Sequence, residues 1–491
     1  MMHLDALGLS EAIRDKKIDR IELFKQSYQK LDQLNGELNA VITRRDKHAL
    51  DEAEHFIDTG QPFAGIPLLL KGLGQSLAGE LDTSGARLLQ NNYAHQTDNF
   101  VKCLEQAGFI VIGQTNIPEF GFKNITDPEL YGPAHNPWNL QYSPGGSSGG
   151  AASSVAAGIV PLATGNDGGG SIRIPASFSG LIGLKPTRGR VPVGPTAWRG
   201  WQGAAINFGL TTSIRDTAAL LDVLQVVQPA APFQTPLIKP SFSQKSKLPL
   251  KRNMKIAYSI ESPVGTTVSA DARQAVLEAV AFLNERNIQT EEITNPLSGS
   301  ELMRDYYIVN SGETARMFEE LEHQLGRSVT IDDMELTTWV IYQAGLLLSA
   351  TDYSKTLSHW DQASAVMDRM FERYDAYLTP TTAYTAPRID AELIDKATIQ
   401  QMRHVTDLKK TERLDLIYTF FAKSLALTPF TQQANMTGQP AISLPTYVSA
   451  TGLPLGIQFI GRKGDESTLL QLGHLFEKQQ QFKMLFDSKQ H

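Results

Sequence analysis

The apolar positions of "SEAIRDKKIDRIELFKQSYQKLDQLN" fall at Ile13, Ile18, Ile21, Phe24, Tyr28 and Leu31, close to helical spacing, so the chain is expected to begin with a helical segment. "NAVIT" then reads as a short strand, and "DKHALDEAEHFIDTG" as a helix closed by Gly60. "GIPLLLKG" is an apolar run flanked by Gly and Pro, which predicts a buried strand that stops at Lys71. "DNFVKCLEQAG" predicts a helix with Gly108 as its cap, and "FIVIGQTN" the next strand. "GGAASSVAAGI" follows as a small-residue helix and "VPLATG" as a strand. Residues 229–253 are rich in Pro, Ser, Lys and Gln and read as a surface excursion. Past them, "KIAYSI", "SADARQAVLEAVAFLNERN" and "IQTEEIT" predict strand, helix, strand. A largely helical region is expected over residues 300–374. "AYLTP", "QPAISLP" and "GLPLGIQFIG" read as core strands, and "ESTLLQLGHLFEKQQ" as a final helix. Strand and helix alternating at this spacing argue for an α/β sheet with helices on its faces. The strands on both sides of 229–253 look equally buried, which favours one domain over two.

Composition narrows the functional classes. The chain has 491 residues, 41 % hydrophobic and 20 % charged, an ordinary globular balance with enough length for a large core. The net charge is −7 and no basic stripe stands out, so no nucleic-acid partner is expected; "KSKLPLKR" is read as an exposed loop. The single cysteine, Cys103, sits in a helical pattern. It permits no intrachain disulfide and no cysteine-based metal site, and no metal or cofactor is expected. The N-terminus lacks the basic-then-apolar run of a signal peptide, and no apolar stretch approaches the roughly 18–20 residues of a spanning helix. A cytoplasmic protein with no membrane partner is the expectation.

Two Gly/Ser clusters lie close together, "GGSSGG" and "DGGGS", separated by the Ala/Val-rich segment. Consecutive glycines let the backbone turn sharply and approach a ligand, and their N–H groups can converge on one negative point. Such a nest suits a phosphate or the oxyanion of acyl transfer. A P-loop needs a Lys after its glycines, and none follows here. "GGSSGG" does not fit the dinucleotide fingerprint either, so a nucleotide-binding protein is a poor reading. Ser171 ends the second cluster and is a candidate nucleophile, although no Gly-x-Ser-x-Gly elbow surrounds it. The ten histidines include none in a special setting, His135 being the nearest, in a loop. The base for Ser171 could then be a lysine whose pKa burial has lowered, and Lys71, ending an apolar strand, is the candidate.

"GGSSGGAASSVAAGIVPLATGNDGGGSIRIPASFSGLIGLKPTRGRV" resembles the signature segment of the amidase signature hydrolases. "GIPLLLKG" resembles that family's lysine segment, and "NMTGQPAISLP" and "GLPLGIQFIG" its C-terminal pattern. The resemblance runs over a core signature region, residues 64–225, and again near the C-terminus. It implies one α/β/α domain spanning 1–491, a large mixed twisted sheet flanked on both faces by helices. It also implies a triad of Lys71, Ser147 and Ser171, with the two serines 24 residues apart and Ser147 in a cis peptide. Neutral Lys71 would take a proton from Ser147, and Ser147 one from Ser171, which attacks the amide carbonyl. Backbone N–H groups of Gly168, Gly169, Gly170 and Ser171 would form the oxyanion hole, and water would hydrolyse the acyl-enzyme. Ser148, Asp167 and Arg173 are implied supporting residues, Arg173 as a loop anchor. One departure concerns the lysine: most members have Asp after it, and here Gly72 follows, so any anchor that Asp provides must come from elsewhere or be missing. The residue before Asp167 is commonly Thr or Ser; here it is Asn166.

Within the family, "ATGNDGGGSIRIPASFSGLIGLKPTRGRVPVGP" and "RDYYIVNSGETARMFEELEHQLGRSVTIDDMELTTW" resemble the aminohexanoate cyclic-dimer hydrolase branch. That resemblance implies a small-molecule amide substrate, linear or cyclic, and places Asn310 in the pocket, against the alternative of a helix-surface Asn. Residues 300–374 would cover the substrate. "EFGFKNITD", with Phe120 and Asn124, and "GPTAWRGWQGA" are the candidate pocket loops, and their aromatic residues suggest an apolar or aryl acyl group. The alternative function is the A subunit of a glutamyl-tRNA amidotransferase complex, which shares the triad. A non-catalytic binding protein would need one triad member lost, and all three are present. The oligomeric state stays open, a homodimer being one state the resemblance allows.

Overall fold

The computed structural model describes residues 4–485. Its apolar runs become the strands of one sheet: β1 (Val41–Arg44), β2 (Ile66–Lys71), β3 (Phe109–Thr115), β4 (Ala163–Asp167), β5 (Ile182–Lys185), β6 (Ile206–Thr211), β7 (Lys255–Tyr258), β8 (Gln289–Glu292), β9 (Ala376–Pro380), β10 (Ala441–Val448) and β11 (Pro454–Ile460). Their spatial order is β1-β3-β2-β4-β6-β5-β10-β11-β9-β7-β8. β2 runs parallel to β3 and β4, and β7 parallel to β8 and β9, while the strands between β4 and β9 pair antiparallel. Every residue of β2 and β3 is buried, which is why both read as unbroken apolar runs: a parallel strand covered on both faces has no solvent side to alternate with. Helices cover both faces. A second apolar cluster, separate from the main core, joins helices Gly299–Leu325, Leu336–Gly345, Ala350–Arg373 and Lys410–Leu427 into a layer beside the sheet. Among the described residues no helix is long and apolar enough to cross a membrane.

Several element bounds differ from expectation, each for a local reason. The N-terminal helical segment is two helices, Ala6–Arg14 and Arg20–Leu38. Lys16 takes a left-handed conformation between them, and Asp19 caps the second by accepting from the Glu22 N–H. Helix Asp46–His55 ends at an extended Phe56, well before Gly60. Its terminal carbonyls find a donor there: the Arg20 guanidinium bonds Ala53 O at 3.1 Å and Phe56 O at 3.0 Å. β4 begins at Ala163 rather than Val160 and runs on to Asp167, so the nest springs from a strand end. β5, β6 and helices Arg173–Ser179, Ile214–Leu224 and Lys410–Leu427 were not expected from the pattern. β5 and β6 are short and join antiparallel neighbours, without the intervening helix that marks a parallel pair. Residues 229–253 contain a short helix, Phe242–Lys245, whose Phe242 is buried; the Phe242 and Ser243 N–H groups both donate to the Asp222 carboxylate.

Candidate active site

Three segments converge at the ends of β2 and β4. Lys71 is the last residue of β2, and its burial follows from the strand. Its N–H donates to Gln75 Oε1 at 2.9 Å and Thr164 Oγ1 at 3.1 Å, and the residue is 1 % exposed. Nζ lies 2.7 Å from Ser147 Oγ and 2.5 Å from Asn166 Oδ1. Burial disfavours the ammonium and lowers the Lys71 pKa from 10.5 to about 7, while the charge of Asp167 pulls the other way. The neutral amine is therefore well populated near neutral pH.

Ser147 follows a cis peptide at Gly146. Gly146 cannot carry a side chain there, since a Cβ would lie 2.5 Å from Ile125 O. The next residue, Ser148, donates its N–H to Ser171 O at 3.2 Å and its hydroxyl to Asn166 O at 3.4 Å, tying the first cluster to the second. Helix Gly149–Ala156 starts immediately after, its residues all buried and small enough to lie close against β4.

The second cluster turns between β4 and helix Arg173–Ser179. Pro175 sits in the first turn of that helix, where a missing N–H costs no hydrogen bond. Gly170 has φ +125° and a Cβ there would collide with Thr431 Oγ1, so only glycine fits. Asp167 organises the turn: its carboxylate accepts from the Gly170 N–H at 2.7 Å and the Ile172 N–H at 3.3 Å. Since the Gly170 N–H is committed to Asp167, the oxyanion expectation carries to the N–H groups of Gly168, Gly169 and Ser171. Arg173, fully buried, holds Asp167 in a two-pronged pair at 2.9 Å and donates further to Thr431 O, Gln458 Oε1 and Asn435 Oδ1. Burial alone would raise the Asp167 pKa, but Arg173 and Asn435 prevail and hold it at about 2.

Two cavities meet at Ser171. The outer one, about 620 Å³, is lined by Ser147, Asn166, Gly168, Gly169, Ser171 and, further out, Phe120, Trp198, Glu313 and Arg316. The inner one, about 60 Å³, is lined by Gly169, Ser171, Asn124, Asn310, Tyr307 and Phe421. Phe122, Trp201 and Tyr306 border both and stand as a partition; Trp201 stacks on Phe122 at 6.1 Å and meets Tyr306 edge-on at 5.7 Å. Asn310 is buried on the inner wall, not on a helix surface. Asn124 faces the same chamber and donates to Ser424 O and Thr428 Oγ1. Among the described residues, no histidine lines either cavity.

Four contributors have roles that the sequence does not disclose. Asn166, a strand residue, accepts from Lys71 and stands where an anchor was expected from the position of Gly72. A side chain at Gly72 would be tight, its Cβ 3.0 Å from Thr115 O and 3.2 Å from Ile42 Cδ1. Thr431, Asn435 and Gln458 grip the nest and Arg173 from more than 250 residues away. The string "NMTGQP" carried a signal of importance for Asn435, but only contact reveals what it holds.

The chain is similar to known proteins over most of its length. A family model described as Amidase matches residues 22–470. A lipoamidase of Enterococcus faecalis is 45 % identical over 96 % of this chain; the chain spans 63 % of that protein's length. A 6-aminohexanoate-cyclic-dimer hydrolase of Paenarthrobacter ureafaciens is 34 % identical, over 96 % of this chain and 94 % of its own. The structure of a 6-aminohexanoate cyclic dimer hydrolase complexed with substrate superposes with TM-score 0.88 at 32 % identity, over 97 % of both chains. The corresponding glutamyl-tRNA(Gln) amidotransferase component from Thermotoga maritima superposes less well, with TM-score 0.74 at 26 % identity over 97 % of this chain and 95 % of its own.

Proposed function

This chain belongs to the amidase signature family and is an amidase, and from that premise we propose that it hydrolyses secondary amides through a Lys71–Ser147–Ser171 relay and an acyl-enzyme. The observation that carries the reading is the 2.7 Å contact between buried Lys71 and Ser147, which opens on the same cavity as Ser171. Neutral Lys71 accepts the Ser147 proton as Ser147 takes that of Ser171, and Ser171 Oγ adds to the carbonyl carbon. The N–H groups of Gly168, Gly169 and Ser171 hold the oxyanion, each such donor being worth about 2.7–4 kcal/mol in the barrier. The proton returns through Ser147 to the amide nitrogen, the C–N bond breaks and the amine leaves. Water, deprotonated by the same relay, then releases the carboxylic acid and restores Ser171.

The two cavities assign the two halves of the substrate. The proton must reach the leaving nitrogen from Ser147, and Ser147 borders only the outer cavity. The amine half therefore occupies the outer cavity and the acyl half enters the inner one. At about 620 Å³ the amine side has room for a substituted amine rather than ammonia alone, which favours secondary amides. The names of the lipoamidase and the cyclic-dimer hydrolase both denote amide cleavage, in keeping with this reading.

Ser171→Ala is expected to abolish amide hydrolysis and labelling by a fluorophosphonate, with the fold intact by circular dichroism. Hydrolysis that survives in this variant contradicts the assignment. Amine release by the isolated chain, with neither tRNA nor other amidotransferase components present, separates this reading from the amidotransferase alternative.

A further inference from the structure

The partition between the two chambers brings one polar atom to the glycine nest. Tyr306, on helix Gly299–Leu325, lines the inner and the outer cavity together with Gly169 and Ser171. Its hydroxyl stands over Gly169: a Cβ there would lie 2.7 Å from Tyr306 Oη and 3.1 Å from its Cζ. The phenol thus occupies the place that a side chain at Gly169 would take. The other two members of the partition bring no polar atom to the nest. Phe122 has none, and Trp201 meets Gly168 with Cε3 and Cζ3 of its six-membered ring, each 3.1 Å from a Cβ placed there, so its indole N–H lies on the far side. Edge-on contacts with Trp201 at 5.7 Å and Tyr307 at 5.8 Å hold the Tyr306 ring. A phenol enclosed by packed rings usually finds a hydrogen-bond partner. This one has none within the protein, among the described residues. Desolvation, with a smaller push from the Asp167 charge, holds its pKa well above the ordinary 10.0, so the hydroxyl keeps its proton and stays a donor.

We propose that Tyr306 is a further catalytic residue, its hydroxyl donating to the oxyanion beside the backbone N–H groups of the nest. The proposal rests on the reading above, in which the acyl half lies in the inner cavity and the amine half in the outer one. The scissile amide then crosses the partition at Ser171, and its oxygen turns to the nest. Asp167 has withdrawn the Gly170 N–H from that oxygen, and Tyr306 Oη supplies a donor from the opposite side of Gly169. A phenol at this place has three possible roles. Protonating the leaving nitrogen is one, but its proton is held too tightly and Ser147 already supplies that route. Accepting from the amide N–H is another, but the nitrogen lies toward Ser147, which borders only the outer cavity, while Oη stands over Gly169. Donating to the oxygen is the role the geometry leaves. The Asp167 charge nearby opposes the oxyanion little, because Arg173 pairs with it. A fixed neutral donor among packed rings acts most where negative charge develops, in the transition state.

The test is Tyr306→Phe, which removes the hydroxyl and keeps the ring contacts. The substrates are 4-nitroacetanilide and 4-nitrophenyl acetate, an amide and an ester with the same acyl group. Rates are taken per active site, counted by fluorophosphonate labelling run to completion, so misfolded molecules drop out. kcat/KM is expected to fall by roughly a hundredfold on both substrates, since both pass through an oxyanion. The pH profile of the variant is expected to keep its limb near 7, where Lys71 titrates and the phenol does not. A loss confined to the amide means that Tyr306 serves the N–H, and overturns the proposal. A loss below about threefold on both substrates also overturns it, and leaves the amidase reading standing. A limb displaced in the variant makes Tyr306 part of the proton relay, which again overturns the proposal. A wild type that cleaves neither substrate overturns the proposed activity, and the donor with it.

Discussion

At the scale of the residue, the decisive group of the proposed relay is Lys71, and its chemistry is set by what surrounds Nζ. Burial makes the neutral amine available near pH 7, and Asn166 Oδ1 positions it at 2.5 Å without adding a charge. An anchor that is neutral has a consequence for pH. As the proposed base, Lys71 works when unprotonated, so kcat/KM should rise with pH through a limb centred near 7. Asn166→Asp places a carboxylate beside Nζ, which favours the ammonium; the limb should then move upward by about 1–3 pH units. The check is the pH profile of kcat/KM for both proteins, at constant ionic strength. A limb that stays where it was would remove Lys71 from the role of base. Lys71 was legible as a candidate because an apolar run ended on a lysine. Its partner was not, because Asn166 looks in the sequence like any polar residue before a glycine turn.

At the scale of the element, the pocket loop from Glu119 to Asp127 is held against helix Leu336–Gly345 by buried charge. Glu119 Oε2 accepts from the Glu335 N–H at 2.8 Å and the Thr338 hydroxyl at 2.5 Å. Glu335 Oε2 in turn meets Lys123 at 2.7 Å, and Lys123 meets Asp127 at 2.9 Å. Two carboxylates, Glu335 and Asp127, share one ammonium, and Glu119 lies beside them. Burial, with a smaller push from the Glu335 charge, raises the Glu119 pKa from 4.5 to about 7 against the bond from Thr338. A carboxyl whose folded pKa is raised contributes stability that is fully present below its ordinary value and is lost as pH rises through the folded value. Glu119→Gln keeps an acceptor and removes the ionisation. It should stabilise the protein by about 1–3 kcal/mol above pH 7, with a much smaller gain near pH 5. Urea melts at the two pH values read this directly; an equal gain at both would contradict it. The sequence placed this loop at the pocket through its aromatic residues. What holds it there comes from a helix more than 200 residues away, beyond any periodicity argument.

At the scale of the whole molecule, the pair Asp167–Arg173 is the point where the chain's distant parts are joined. It links the end of β4, the helix that follows it, the segment at Thr431–Asn435 and Gln458 of β11. Arg173→Leu leaves the Asp167 carboxylate buried and unpaired, and should cost about 3–5 kcal/mol. Thermal unfolding measures it, and a melting temperature close to wild type would mean that Asn435 and the backbone N–H groups suffice to hold Asp167. The sequence by itself determined the α/β class and most strand positions, and offered Lys71 and Ser171 as candidate reactive positions. These are local properties: an apolar run fully buried in a sheet and a glycine cluster that turns the backbone both declare themselves within a few residues. The resemblance of a long motif set to a known family added Ser147 and the proposed order of the relay. The tertiary structure alone decided the neutral anchor at Asn166, the grip of Thr431, Asn435 and Gln458 on the nest, the withdrawal of the Gly170 N–H and the division of the site by Phe122, Trp201 and Tyr306. Each depends on which atoms meet across the fold, and hydrogen bonding, burial and excluded volume act through space, whereas a sequence pattern reports only neighbours along the chain.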